Sequence, residues 1–215
     1  AEYNALHDLE LHSYASTEAQ VAALADDIAY NSHDLHDGLR AELFSTDELA
    51  ELPILRDCFA EVDRKYPGLN YYRRRHEAVR RFFGILVEDV IAVSRKNLTE
   101  LNPQNAYDVR FAGRAMIKFS NGLWADLKVV RKFLFHRMYR APSVVKMRKE
   151  VTEAVTTLFP LFMQHPDLLP KQWRKDVEKA DDDIALARIV VDYIAGMTDR
   201  FALQEHERLI QTKTH

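Results

Sequence analysis

The chain has 215 residues, 47% of them hydrophobic, and a formal net charge of −3, so a sizeable core can form. A charge this close to neutral excludes a global field that draws nucleic acid or membrane, so any anion binding has to be local. No apolar run reaches the roughly 18 residues that predict a membrane span. The single cysteine, Cys58, excludes an internal disulfide. It suits a reducing compartment, and we expect a cytoplasmic protein without membrane contacts.

Helices are predicted along the whole chain, because only 6 glycines and 7 prolines interrupt it. Residues 1–15 form a mixed lead-in segment. Thr17 with Gln20 then matches a capping box, which predicts a long helix from Thr17 to about Asp37. Gly38 is expected to interrupt or end that helix.

A second capping box, Ser45 with Glu48, predicts a helix that Pro53 breaks or restarts. Asn70 is expected to cap a long helix reaching about Thr99, whose middle is apolar nearly all round and therefore central. The first turns of this helix carry a basic cluster: Arg73, Arg74, Arg75, Arg80 and Arg81. This cluster fits either a solvated, paired helix face or an anion or subunit contact.

The rest of the chain is also mainly helical in prediction. Residues 109–119 have weak strand character, and Gly113 fits either a short hairpin or an extended loop there. Asn121 is expected to cap a helix through about Tyr139, and Pro142 fits the first turn of the next. Pro166 and Pro170 bound a short connector before the last helix, which is kinked at Gly196. These features predict an all-α bundle of about seven helices, with residues 1–215 as a single unit.

The helix from Thr17 to Asp37 carries Asp26, Tyr30 and Asp34 at spacings of four residues, which stack along one helix face. Two carboxylates and a phenol in an apolar segment are costly unless something binds there. Such a face can hold a hard cation at one end and a hydroxylated ligand at the other. The alternative is a solvated acidic stripe or a capping network.

The dipeptide His-Asp occurs three times, as residues 7–8, 33–34 and 36–37. His33 and Asp37 lie four residues apart on the same predicted helix. A pair at this spacing can bind a metal, but it is more often a surface ion pair.

Four segments resemble the bacterial deoxyguanosinetriphosphate triphosphohydrolase-like proteins of the HD-domain phosphohydrolase superfamily. The two longest are ALADDIAYNSHDLHDGLRA and, near the end of the chain, DYIAGMTDRFAL. The opening AEYNALHDLEL and the run FLFHRMYRAPSVVKMR are also similar to that family. The resemblance spans the chain and implies an HD-domain-like helical bundle. It also implies hydrolysis of a deoxynucleoside triphosphate to the deoxynucleoside and inorganic triphosphate.

The resemblance also implies roles for individual residues. Asp26 matches the family's lone aspartate ligand to a divalent metal ion, Mg, Mn or similar. Tyr30 and Asp34 match positions that contact the sugar, including its 3′-hydroxyl. Arg131 is similar to a phosphate-contacting arginine and Tyr139 to a nucleotide-contacting tyrosine. Ordinary surface pairing of Arg131 and core packing of Tyr139 remain alternatives.

The family's other metal ligands, a His and a His-Asp pair, have no match in this chain, and neither has the general-base histidine. The resemblance therefore implies a C-terminal portion, inactive alone, in which residues 1–40 contain the last metal-site helix. In the intact enzyme, metal-activated water would attack the α-phosphorus, with no catalytic base in this chain. Family members commonly form oligomers, so we expect a homo-oligomer. Two hypotheses compete with this one. The chain could be a helical interaction module without catalysis, or part of an enzyme that hydrolyses another nucleotide.

Overall fold

A computed structural model describes residues 2–211 of the chain, and within them all regular structure is helical. The all-α prediction is therefore confirmed. The described residues form eleven α-helices, eight of which have seven or more residues. They divide into two compact units, one ending at Arg140 and the other starting at Ala141. This division does not test whether residues 1–215 act as a single unit, which stays a prediction.

The first unit contains seven α-helices and one π-helical turn. The helices are α1 (Glu2–Leu6), α2 (Thr17–Arg40), α3 (Thr46–Leu49), α4 (Leu55–Lys65), α5 (Tyr71–Leu101), α6 (Ala106–Arg110) and α7 (Asn121–Leu134). The residues Phe135–Tyr139 continue α7 as the π-turn. Helix α5 packs against both α2 and α4. Fully buried residues such as Leu35, Phe59 and Phe82 form the core between these helices.

The second unit contains α8 (Pro142–Gln164), a short 3-10 helix (Pro166–Leu168), α9 (Lys171–Val177), α10 (Asp183–Ala195) and α11 (Asp199–Gln211). Helix α8 packs against α10 and α11. The core of this unit is partly aromatic. The Tyr193 ring lies 5.4 Å from that of Phe162 and 5.6 Å from that of Trp173.

Helix boundaries follow the sequence signals, but some caps differ by one residue. Helix α2 starts at Thr17 as predicted, but its cap is Ser16, whose hydroxyl accepts a hydrogen bond from the Ala19 amide. Ser120, and not Asn121, caps α7. The capping box of Ser45 with Glu48 is confirmed. Each correction moves the capping oxygen one position upstream while leaving the helix where it was predicted.

Of the two alternatives for residues 109–119, the hairpin is wrong, because the end of helix α6 and then a loop occupy this stretch. The amides of Met116 and Ile117 both donate to the side-chain oxygen of Gln20, and the Met116 carbonyl accepts from Asn97. Side chains of α2 and α5 thus take up the backbone groups that a strand ladder would use.

Three other expectations near helix ends are corrected. Helix α2 continues through Gly38 to Arg40. The connector between Pro166 and Pro170 contains the 3-10 helix, and it is followed by helix α9, which was not predicted. At Gly196 the last helix is interrupted and not merely kinked, since α10 ends at Ala195 and α11 starts at Asp199.

The two glycines inside α2 and α5 differ in their surroundings. A Cβ built on Gly38 would lie 2.2 Å from the tip of the Phe44 ring, whereas one built on Gly84 meets nothing within 4 Å. Phe44 is 4% exposed and packs edge-on against Phe133, so its ring has little room to move. The absent side chain at position 38 therefore makes space for Phe44.

We predict opposite effects for alanine at these two positions. Gly84→Ala should stabilise the chain by about 0.5–1 kcal/mol, because alanine restricts the unfolded chain and favours helix. Gly38→Ala should instead destabilise it by roughly 1–3 kcal/mol, because the new methyl group overpacks the Phe44 site. Urea unfolding of both variants measures the difference. A stabilising Gly38→Ala would show that the Phe44 ring moves aside freely.

Candidate functional site

A buried carboxylate on α2 is hydrogen-bonded to a phenol of the π-turn. Asp34 is 9% exposed, and the Tyr139 hydroxyl donates a hydrogen bond to its Oδ2 atom. A carboxylate removed from water in this way is costly unless a donor reaches it, and Tyr139 is that donor. The structure thus brings together two of the residues that the resemblance singled out.

Burial governs the protonation of this pair. Loss of solvent raises the pKa of Asp34, and the nearby Asp37 charge raises it further, while the hydrogen bond from Tyr139 acts in the opposite direction. The pKa of Tyr139 is also raised, by burial, by Asp34 and by the neighbouring Tyr30 hydroxyl. Tyr139 therefore stays a neutral donor at neutral pH. Tyr30 is 58% exposed and completes the group on its solvent side.

The π-turn explains how Tyr139 reaches α2. Arg131, earlier on α7, lies 3.7 Å from an oxygen of Asp27, and Tyr139 contacts Asp34. The partners on α2 are thus seven residues apart, whereas those on α7 and the π-turn are eight apart. Eight residues of straight α-helix overshoot two turns by about 80°, and seven fall short by about 20°. The wider π-turn absorbs the additional residue and keeps both side chains facing α2.

The metal position predicted from the resemblance, Asp26, lies in the first half of α2. Asp26 is exposed, as are the nearby Val21 and Ala25. Its neighbour Asp27, half-buried, is the carboxylate that faces α7, because adjacent helical residues point about 100° apart. No group of three His, Cys, Asp or Glu side chains within residues 2–211 is placed to hold a metal ion.

Arg131 is held by groups other than the Asp34 pair. Its guanidinium lies 5.7 Å from the centre of the Trp124 ring, in addition to the Asp27 contact. Trp124 and Asp27 also line a cavity of about 310 Å³, together with Phe119, whose ring stacks on Trp124 at 6.0 Å. Within residues 2–211, Arg131 thus forms a surface pair, and its phosphate contact stays a prediction.

The repeated His-Asp dipeptides form no common site in the described residues. His33 is exposed, and the imidazole that approaches Asp37 is that of His36, with Nδ1 3.9 Å from Oδ1. His36 also approaches His76 on α5, with their Nε2 atoms 3.4 Å apart. Sequence spacing alone could not reveal this contact, because the two histidines lie 40 residues apart.

The basic cluster at the start of α5 separates into paired and unpaired arginines. Arg74 forms a bidentate contact with Asp63 of α4, and Arg80 one with Glu77. Arg75, in contrast, is buried without a carboxylate partner among residues 2–211. Ion pairing within residues 2–211 is therefore observed for Arg74 and Arg80 but not for Arg75.

Comparison with known proteins shows what the chain is similar to. Residues 117–208, less than half of the chain, match the phosphohydrolase-associated domain. The chain is 70% identical to the deoxyguanosinetriphosphate triphosphohydrolase-like protein of Roseobacter denitrificans, over 99% of this chain and 55% of that protein. It is 72% identical to the like-named protein of a Jannaschia species, over 94% of this chain and 52% of that protein.

A more distant relative gives the same result. The Rhizobium meliloti protein of that name is 47% identical over 97% of this chain and 51% of its own length. The resemblance drawn from the four sequence segments is thereby confirmed. The chain spans about half the length of the curated relatives it matches. No helix within residues 2–211 has the length and apolar character needed to cross a membrane.

We predict that substitution of the two partners of the buried hydrogen bond changes stability by unequal amounts. Tyr139→Phe should destabilise the chain by about 1–3 kcal/mol, because it leaves the Asp34 carboxylate buried without its donor. Asp34→Asn should cost nothing at pH 7, because it removes a charge whose pKa burial has raised. Relative to the wild type, the Asp34→Asn variant should become less stable as the pH falls, because wild-type Asp34 is then protonated and no longer carries the unfavourable charge.

Urea unfolding at pH 7 and at pH 4.5 measures these effects. Tyr107→Phe is the matched control, because Tyr107 is 63% exposed. Equal losses from Tyr139→Phe and Tyr107→Phe would show that the hydrogen bond contributes no stability.

A second prediction concerns acid sensitivity at the His36–His76 contact. Burial, then His76, lowers the pKa of His36 from its ordinary 6.5. The stability linked to neutral His36 is therefore complete above pH 6.5 and is lost as the pH falls towards the lower folded-state pKa. His36→Asn should lose less stability than the wild type between pH 7.5 and pH 5.5. The exposed His136→Asn is the control, and an unchanged loss in His36→Asn would contradict the prediction.

Proposed function

We propose that, in a protein of its relatives' length, this chain contributes the sugar-binding wall of a deoxynucleoside triphosphate triphosphohydrolase. The reaction would release the deoxynucleoside and inorganic triphosphate. One observation carries the proposal: the buried carboxylate of Asp34, with the phenols of Tyr139 and Tyr30 beside it. The names of the relatives supply the substrate class.

The chemistry of this group suits a sugar hydroxyl. A buried carboxylate has several lone pairs, and Tyr139 occupies one acceptor direction of Asp34. A ligand hydroxyl can donate to the carboxylate while Tyr30, exposed at the rim, covers the sugar. A site built to hydrogen-bond a hydroxyl rejects analogues that lack it, because its buried polar group is then left without that partner.

Arg131 is the proposed contact for the phosphate chain. Its side chain is 42% exposed, and its guanidinium lies 3.7 Å from an oxygen of Asp27, a weak pairing that an incoming phosphate can replace. Its cation–π contact with Trp124 would hold the side chain near α2 during that exchange. In this role Arg131 offsets phosphate charge without taking part in proton transfer.

Divalent metal dependence belongs to the proposal, with Asp26 as one ligand. The residues 2–211 do not make a metal site by themselves, since they contain no suitable group of three ligand side chains. Three or more protein ligands are usual for a catalytic metal. The remaining ligands would have to come from residues outside this sequence.

The decisive experiment uses a protein of the relatives' length, with triphosphate release followed by ³¹P NMR. Asp34→Asn should lower kcat/KM by roughly 10- to 100-fold, the loss expected for a hydrogen bond to a charged group. Asp26→Ala should abolish turnover without changing thermal stability, because Asp26 is exposed. Asp37→Ala, on the same helix with 62% of its side chain exposed, is the control and should retain activity. Full activity of both Asp26→Ala and Asp34→Asn would favour a non-catalytic helical module.

The chain alone should show no triphosphate release and should retain little metal after dialysis, as measured by elemental analysis. The reason is that Asp26 is the single metal ligand predicted in this chain, and residues 2–211 contain no group of three side chains that could hold a metal ion. Turnover by this chain would contradict the proposal that other residues complete the metal site. Light scattering of the same sample tests the predicted homo-oligomer.

A further inference from the structure

A second cavity, lined largely by polar side chains, lies in the first unit, where the end of α2 meets the start of α5. Its volume is about 480 Å³. Its walls are formed by His36, Leu39, Arg40, Glu42, Tyr71, Tyr72 and Arg75. None of these residues belongs to the group of Tyr30, Asp34 and Tyr139. His36 and Asp34 are two positions apart on α2 and therefore point about 200° apart.

Arg75 makes this cavity unusual. The residue is 8% exposed, and its Nε atom is buried without a hydrogen-bond partner. Its guanidinium lies 5.0 Å from the Tyr72 ring and 5.7 Å from the Tyr71 ring, and no ion pair reaches it within residues 2–211. A buried charge that contacts aromatic rings but has no ion-pair partner among residues 2–211 carries a desolvation penalty that an anion would offset.

The charges around the cavity favour an anion. Arg40 and Arg75 contribute two positive charges, and Glu42 is the one carboxylate in the wall. His36 adds a ring nitrogen, already close to His76. The tyrosines are partly exposed, Tyr71 by 48% and Tyr72 by 65%, so they leave the cavity open to solvent.

We propose that this cavity binds the phosphate chain of a polyphosphate or a nucleotide. A guanidinium presents a planar fork of donors that matches phosphate oxygens, and the orphaned Nε–H of Arg75 is one of those donors. The volume exceeds what a single phosphate needs and lies in the range of small-molecule sites. The inference does not depend on the proposed hydrolysis, because it uses none of the residues assigned to that reaction.

Calorimetric titration of this chain tests the proposal, with EDTA present to exclude metal. The probes are sodium triphosphate, ATP and adenosine. Binding of triphosphate and ATP with equal affinity identifies the phosphate chain alone as the ligand. Tighter binding of ATP, without binding of adenosine, identifies a nucleotide whose base or sugar also contacts the cavity. Binding of neither triphosphate nor ATP overturns the proposal.

Three variants locate the binding. Arg75→Gln should weaken triphosphate binding by about tenfold or more, the effect of one lost charge-assisted hydrogen bond. Arg40→Gln, at an exposed position, should weaken it severalfold without lowering the melting temperature, which guards against a folding defect in Arg75→Gln. Arg80→Gln is the matched control on α5, since Arg80 is exposed and paired with Glu77. An equal loss in Arg80→Gln would indicate non-specific charge attraction and overturn the assignment.

Arg131→Gln separates this site from the proposed phosphate contact of the hydrolytic reaction. It should leave triphosphate binding at the cavity unchanged. If Arg131→Gln removes the binding and Arg75→Gln does not, the second site is absent, while the proposed role of Arg131 is strengthened.

Discussion

The hydrogen bond from Tyr139 to Asp34 joins segments that lie 105 residues apart in the chain. A buried carboxylate tolerates few neighbours, so this contact constrains both helices that supply it. Helix α2 has to present Asp34 towards the core, and the π-turn has to turn Tyr139 back onto it. The pair that joins α2 to the π-turn is thereby also the pair to which we assign the ligand hydroxyl.

The side chains of helix α2 lie in three different environments: solvent, the π-turn and the start of α5. Its first half is largely exposed and carries Asp26, whereas its second half is buried through Ile28, Leu35 and Leu39. Around the buried half, Asp34 faces the π-turn, and His36 faces the start of α5. Because the core fixes the rotation of the helix, both polar contacts are held without a separate support.

Much of this arrangement could be predicted from the sequence, and the exceptions have physical causes. Capping oxygens and hydrophobic periodicity act locally, so the helices and most of their ends were predictable. The false hairpin arose because Gln20 and Asn97 satisfy backbone groups from far along the chain. Arg75 shows the same limit, since nothing in the cluster of five arginines indicates which one will be buried without an ion-pair partner among residues 2–211. The sequence shows that Asp26, Tyr30 and Asp34 share one helix face. Their different burial could not be predicted, because it depends on which elements pack against α2.

The π-turn of residues 135–139 has a consequence for how the relatives can vary. It accommodates one residue more than an α-helix would between Arg131 and Tyr139, and a lone deletion there converts it to plain α-helix with little cost to the helix itself. After such a deletion, the tyrosine would follow the arginine by seven positions and still point at α2. Length differences among relatives should therefore cluster at this turn, whereas an insertion in the middle of α7 would rotate every later side chain away from its partner.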